Sequence, residues 1–259
     1  MRIPIFQVDA FTGRVFGGNP AAVCPLERWL DDATLQRIAA ENNLSETAFF
    51  VPGERPLRIR WFTPACEVDL CGHATLASAH VIFERLEPGR DQVTFESRSG
   101  PLGVRRDGGQ LIMDLPAWPP RPVADAAPLA RALRRPPLEA WRSRDLLALF
   151  ESEEQVRSLA PDMVALAALD ALGVIVTAPG SGCDFVSRFF APAAGVPEDP
   201  VTGSAHCTLI PFWAVRLGRT RLVARQVSAR GGELQCELRD DRVNVGGEAA
   251  LYLEGMIFV

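Results

Sequence analysis

The chain contains no lysine: all 27 of its basic residues are arginine. That absence excludes a Schiff base to pyridoxal phosphate, attachment of lipoate or biotin, and a Walker A phosphate loop. No GxGxxG follows a strand-like stretch either, so redox chemistry on a dinucleotide and phosphoryl transfer are unsupported. The cysteines at 24, 66, 71, 183, 207 and 236 form no CxxC pair and no regular spacing. Reduced thiols in the cytoplasm are the expectation for a chain too large to need disulfide staples. The most apolar stretch, 163–178, is interrupted by Asp170 and falls short of the roughly 20 residues of a membrane span. The opening MRIPIFQVDAF lacks a charged segment followed by a long apolar core, and reads as a first strand. A net charge of −5, spread along the chain, leaves no basic groove for nucleic acid and no polybasic membrane patch.

What is present is an ordinary folding composition, 47% hydrophobic and 23% charged, at a length of 259 residues where one core tends to divide into two. The chain also repeats itself. Arg60 to Ile82 reads RWFTPACEVDLCGHATLASAHVI, and Arg188 to Ile210 reads RFFAPAAGVPEDPVTGSAHCTLI. Both run Arg, aromatic, Phe, any residue, Pro, Ala, then an acidic loop, then Gly, a polar residue and an apolar segment opened by Ala. The second acidic loop is the longer. Downstream, RRDGGQLIMDL and ARGGELQCEL each predict a hairpin turned at Gly-Gly.

The segments 74–86 and 205–217 are apolar or small around nearly the whole helical circumference, which predicts buried helices. The expected fold is therefore α+β, with two pseudo-repeated lobes, each a curved, mostly antiparallel sheet wrapped around a central helix. Pro211 is expected to kink or shorten the second helix. LPAWPPRPVADAAP reads as the start of a crossover linker, placing the N-terminal lobe at 1–115 and the C-terminal lobe at 116–250, with a final strand, 251–259, returning to the first.

Each predicted helix begins with a glycine and a polar residue, Gly72-His73 and Gly203-Ser204. The first backbone N–H groups of a helix lack internal partners and the dipole favours negative charge by roughly 0.3–1 kcal/mol. Two such starts could clamp a substrate carboxylate and stabilise enolate-like charge. Taken singly they read first as tight turns before helices, and it is their duplication after Arg-aromatic-Phe-x-Pro that points to a site. Four polar side chains beside apolar sequence are candidates for proton transfer: Glu46, His73, Asp199 and Ser204. Glu46 follows a helical stretch ending near Asn42 and opens a strand, where desolvation would suit acid–base work. The bland readings are a solvated loop carboxylate for Glu46, a helix-start donor for His73 and a helix cap for Asp199.

The segments GGNPAAV, NLSETAF, FTPACEVDLCGHATLASAH and EDPVTGSA resemble the PhzF-like phenazine biosynthesis family, which has the diaminopimelate epimerase fold, and they occur in family order across nearly the whole chain. The resemblance implies that Glu46 is the principal general acid and base, with His73 and Asp199 as its catalytic partners. Substrate binding is expected at Asn19, Gly72, Ala74, Thr202, Gly203 and Ser204, and the resemblance implies a cleft between the lobes of an enzyme often found as a homodimer. It also implies isomerisation of a small carboxylate-bearing metabolite by removal and return of a proton, with no cofactor and no metal. Diaminopimelate epimerases use two opposed cysteines, one from each half; here Cys71 precedes Gly72, but Thr202 precedes Gly203. With one thiol missing, a positional isomerase is favoured over a symmetric racemase, and Cys71 is either core packing or an additional acid–base group.

Three other readings follow from the same residues. One is an epimerase using the single thiol of Cys71. Another is a non-catalytic small-anion binder on the same fold. The third is a zinc hydrolase using Cys71, His73, His206 and Cys207, disfavoured because adjacent helical residues point apart. The segment 122–178 is expected to shape the substrate cleft.

Overall fold

The computed structural model describes residues 1–259, and contacts divide them into two units, 1–115 with 246–259, and 116–245. In the first, β1 (Arg2–Ala10) and β2 (Asn19–Pro25) lead into α1 (Asp32–Asn42), followed by β3 (Glu46–Phe50), β4 (Ile59–Phe62) and β5 (Glu67–Val68). The helix α2 (Gly72–Val81) ends in a π-helical turn at Ile82–Leu86, and β6 (Gln92–Ser97), β7 (Gly100–Asp107) and β8 (Gln110–Pro116) form an antiparallel meander. The second unit holds β9 (Arg121–Pro122), α3 (Ala127–Leu133), β10 (Glu139–Arg142), β11 (Leu146–Leu149), α4 (Glu153–Arg157), α5 (Met163–Ala167), β12 (Val174–Pro179) and β13 (Phe185–Ala191). It continues with β14 (Val196–Asp199), α6 (His206–Leu217), β15 (Arg221–Gln226), β16 (Gly232–Arg239) and β17 (Arg242–Gly247). The last strand, β18 (Ala249–Phe258), pairs antiparallel with β1.

The first unit's main sheet runs β18-β1-β2-β3-β4-β5, antiparallel except for β2 against β3. α2 packs on β1, β2 and β3, and is buried from Gly72 to Ala79, which is why its sequence shows no polar stripe. α1 covers other apolar residues of the same sheet, with Leu35, Ile38 and Ala39 against Cys24, Phe49 and Phe62.

In the second unit the sheet runs β17-β16-β15-β13-β12-β11-β10-β9, with β14 paired to β13. Alternation along β12 serves two layers. Val174, Val176 and Ala178 join a core with α3 and the residues around α4 and α5, including Leu129, Leu133, Phe150 and Leu166. Thr177 instead accepts a hydrogen bond from Trp213 Nε1 of α6 at 2.9 Å, and Phe185 stacks on the same indole. Much of 122–178, which the sequence assigns to the substrate cleft, is thus spent on a second core layer. The proline-rich segment is not a free linker: β9 pairs with β10, and Trp118 N–H donates to Cys207 O at 2.8 Å.

That last bond explains Pro211. Proline lacks the N–H that would bond the carbonyl four residues back, which is Cys207. Trp118 takes over this carbonyl, and α6 continues through Pro211 to Leu217, so the expected shortening does not occur. The start of α6 is also corrected. It begins at His206 and not at Gly203-Ser204, because the N–H groups of His206, Cys207 and Thr208 reach back three residues, to Gly203, Ser204 and Ala205, forming a tighter lead-in turn.

The internal repeat has a structural use in both units. Arg60 on β4 grips Glu67 on β5 with Nε at 2.7 Å and Nη2 at 2.8 Å. Arg188 on β13 grips Glu198 on β14 in the same fork, at 2.7 and 2.9 Å. Each fork anchors the acidic loop that leads into the buried helix, and the longer second loop still ends in the same clamp.

Candidate active site

Parallel pairing of β2 and β3, with Ala21 opposite Glu46, puts the first residues of both strands at one end of the sheet. Asn19 opens β2 and Glu46 opens β3. Asn19 is delivered by a turn that only glycine can make: Gly18 has φ +59°, and a Cβ there would lie 2.0 Å from the carbonyl oxygen of Ala10. Asn43, in the left-handed conformation, ends α1 and turns the chain into β3. α2 begins at the same end with Cys71 at its N-cap, and Cys71 O accepts both the backbone N–H and the hydroxyl of Thr75.

These elements bring together four residues from three separate stretches of the sequence. Glu46 Oε2 is 3.1 Å from His73 Nε2, the Asn19 amide is 3.0 Å from Nδ1, and Cys71 Sγ is 3.5 Å from Nδ1. His73 and Cys71 are buried, while the Glu46 side chain keeps 14% of its surface exposed. Burial pushes the imidazole down, but Cys71 and Glu46 beside it outweigh that and hold His73 well above the usual histidine value. The Cys71 thiol is pushed up to about 11, first by burial and then by the Glu46 carboxylate. Both directions favour the protonated forms of the imidazole and the thiol next to Glu46. Gly72 and Ala74 lie in the first turn of α2, and both are buried.

In the second unit, Asp199 accepts the Thr202 hydroxyl, and Gln226 ties the loop: its Nε2 donates to Asp199 O at 2.7 Å and its Oε1 accepts from Thr202 N–H at 2.9 Å. Asp199 ends β14 and does not cap α6. Ser204 lies in the lead-in turn of α6 with Arg144 Nη2 3.2 Å from its hydroxyl, and Gly203 precedes it. Gln226 and Arg144 carry no sequence signal of their own; a buried glutamine at a strand end, visible only once β15 is placed, identifies the first. Of the zinc-ligand types in this unit, His206 gives Nδ1 to the carbonyl of Thr202 at 2.8 Å, and burial raises the Cys207 thiol to about 12. Neither is disposed as a ligand. The trio gathered in the first unit is Glu46, Cys71 and His73, whose candidate atoms lie within 4.8 Å of one another.

The profile of the phenazine biosynthesis-like proteins matches residues 8–255. The chain belongs to this family. An uncharacterized isomerase of Pseudomonas aeruginosa is 55% identical over 99% of both chains, and another from Halalkalibacterium halodurans is 44% identical over all of both. The crystal structure of a PhzF-family phenazine biosynthesis protein from Enterococcus faecalis covers all of both chains at 48% identity, with a TM-score of 0.96. A probable proline racemase from Agrobacterium radiobacter shares the fold, at 9% identity and a TM-score of 0.69 over 99% of this chain and 93% of that one. By its kinship this member of the phenazine biosynthesis-like family is an isomerase. No helix is long and apolar enough to cross a membrane.

Proposed function

We propose that the protein is a cofactor-independent isomerase of a small carboxylate-bearing metabolite. Glu46 removes a proton from a carbon beside a carboxylate, carbonyl or vinylogous group and returns it at another position. The observation that carries this reading is the Glu46–His73 contact at 3.1 Å, at the start of a buried helix. A carboxylate at a strand mouth with part of its side chain exposed can meet a substrate carbon. An imidazolium beside it orients the carboxylate and stabilises negative charge that develops in the transition state. The backbone N–H groups of Gly72 and Ala74, in the first turn of α2, and the Asn19 amide are suited to the substrate's acidic group. Asp199 orients the substrate and relays protons with His73, and Thr202, Gly203 and Ser204 are assigned to the substrate's polar groups.

Asymmetry supports movement of the proton to a new position over racemisation. Thr202, which stands where Cys71 stands in the first copy, has given its hydroxyl to Asp199. The protonated thiol of Cys71 favours one second reading, an epimerase in which Glu46 is the base and Cys71 the acid. The six free cysteines suit a reducing cytoplasm. The working assembly is proposed to be a homodimer.

Deuterium uptake from solvent into a panel of α-amino acids and dihydroaromatic or dienoic carboxylates tests both readings. Glu46→Gln is expected to slow exchange by about 10²–10⁴-fold; exchange at the wild-type rate removes Glu46 from the role. Cys71→Ser is expected to leave positional isomerisation running, and abolition by that change favours the epimerase.

A further inference from the structure

The turn between β10 and β11 carries Arg144 to the lead-in turn of α6, because the Ser143 hydroxyl lies 2.6 Å from that of Thr208 and Ser143 N–H donates to Asp145 O at 3.0 Å. There Arg144 Nη2 donates to Ser204 Oγ and to Asp145 Oδ2, both at 3.2 Å, and the guanidinium lies over the Trp118 ring, 4.8 Å from its centroid. Nη1 makes no hydrogen bond within the chain. Nε is buried without a partner, and so is Oδ1 of the fully buried Asp145. The fork that Arg60 and Arg188 complete with Glu67 and Glu198 is only half made here. The charge of Arg144 is therefore not spent on a closed ion pair. Its side chain, held flat by Trp118, stays 32% exposed, with donors to spare beside a hydroxyl assigned to substrate. Ser204 Oγ accepts from Nη2, which leaves the serine O–H to donate.

We propose that Arg144 is a specificity-determining residue, and that with the Ser204 hydroxyl it takes a second carboxylate of the substrate, in addition to the acidic group assigned to Gly72, Ala74 and Asn19. The proposal rests on the isomerase reading and narrows its substrate class to dicarboxylates. Nη1 offers two N–H donors and Ser204 one O–H, and an oxyanion is the acceptor whose charge matches them. The cation is already shared with Asp145, so a single negative charge suits it better than the nearly double charge of a phosphate monoester.

Calorimetric titration of the intact protein with succinate, glutarate and adipate, each beside the monocarboxylate of the same chain length, tests this without turnover. At least one diacid is expected to bind about 10–100-fold more tightly than its monoacid. Arg144→Gln is expected to erase that preference. Because it strands the buried Asp145 carboxylate, Arg144→Gln combined with Asp145→Asn is measured beside it, with the same expectation. General damage to the fold weakens both acids together, so the ratio reports the contact. Arg142→Gln, which removes the same charge from a surface pair with Asp170, keeps the preference. Equal affinity for diacid and monoacid in the wild-type protein, or no binding of any diacid, overturns the proposal, as does a preference that survives the double variant or disappears with Arg142→Gln. Solvent deuterium exchange into monocarboxylates with no diacid preference keeps the isomerase reading and sinks this one. An Arg144-dependent preference with no exchange into any acid leaves a dicarboxylate-binding protein and sinks the isomerase reading instead.

Discussion

His73, His80 and His206 meet burial in different company, and their titrations should separate accordingly. His73 is held high by Cys71 and Glu46 against its burial, His80 is lowered chiefly by burial, and His206, buried with only a backbone carbonyl on Nδ1, falls to about 4. A group raised on folding stabilises the native state below its unfolded value, about 6.5, and loses that contribution as pH rises through its folded value. For His73 the loss falls on the alkaline side. For His206 the sign reverses: the unfolded chain takes up the proton first, so stability falls as pH drops from about 6.5 to about 4, by on the order of 3 kcal/mol. Proton NMR of the ring resonances should give three resolved curves, with the one lost in His73→Gln inflecting well above 6.5. Urea unfolding between pH 4 and 7 should show a flatter slope in His206→Gln. At this scale Glu46, His73, Asp199 and Ser204 were singled out through the family resemblance of NLSE, GHAT and the TGSA segment, since each taken alone also reads as an ordinary loop, helix-start or cap residue. Gln226 and Arg144 were not, since a hydrogen bond across a sheet leaves no local pattern.

Between elements, the paired forks Arg60–Glu67 and Arg188–Glu198 carry the strongest expectation. The arginine side chains are 22% and 12% exposed, and each makes two parallel charge-assisted bonds. Arg188 also donates to the carbonyls of Val156 and Leu159. Lysine keeps the charge and loses the fork. Arg188→Lys is expected to cost about 1–3 kcal/mol in urea unfolding, and more than Arg60→Lys, whose second ion-pair partner, Asp32, is exposed. Equal and negligible losses would show the forks to be incidental. The repeat made these arginines conspicuous, and the two buried helices were legible from their unbroken apolar surface. The true start of α6 was not, because a glycine-polar pair reads alike whether a helix begins there or one short turn later. Nor was the passage of α6 through Pro211, which depends on Trp118, a residue remote in sequence, to occupy the Cys207 carbonyl.

For the whole molecule, the edge of the first unit's sheet bears on assembly. β18 is paired on one side only, to β1, and Tyr252, Met256 and Phe258 are 48%, 48% and 75% exposed. Alternation along the strand places Glu254, Met256 and Phe258 on one face, the register shifts at Tyr252, and Phe16, 71% exposed, lies edge-on to Tyr252 with ring centroids 5.6 Å apart. An edge strand with an apolar face is a template for further association unless something covers it. A second copy is the occupant that fits the proposed homodimer. Light scattering after size exclusion is therefore expected to give twice the chain mass for the wild-type protein. Met256→Asp with Phe258→Asp should shift it to the single-chain mass, because two carboxylates at a covered strand edge would be buried unpaired. A variant that stays dimeric would move the interface elsewhere on the surface, and a wild-type protein of single-chain mass would remove the dimer. The distant positions of Met1 and Val259 in sequence give this test its control. Val259 N–H donates to Met1 O at 2.9 Å beside the β1–β18 pairing, so an unchanged thermal transition in the double variant would show the edge still bound to its own sheet while association is lost.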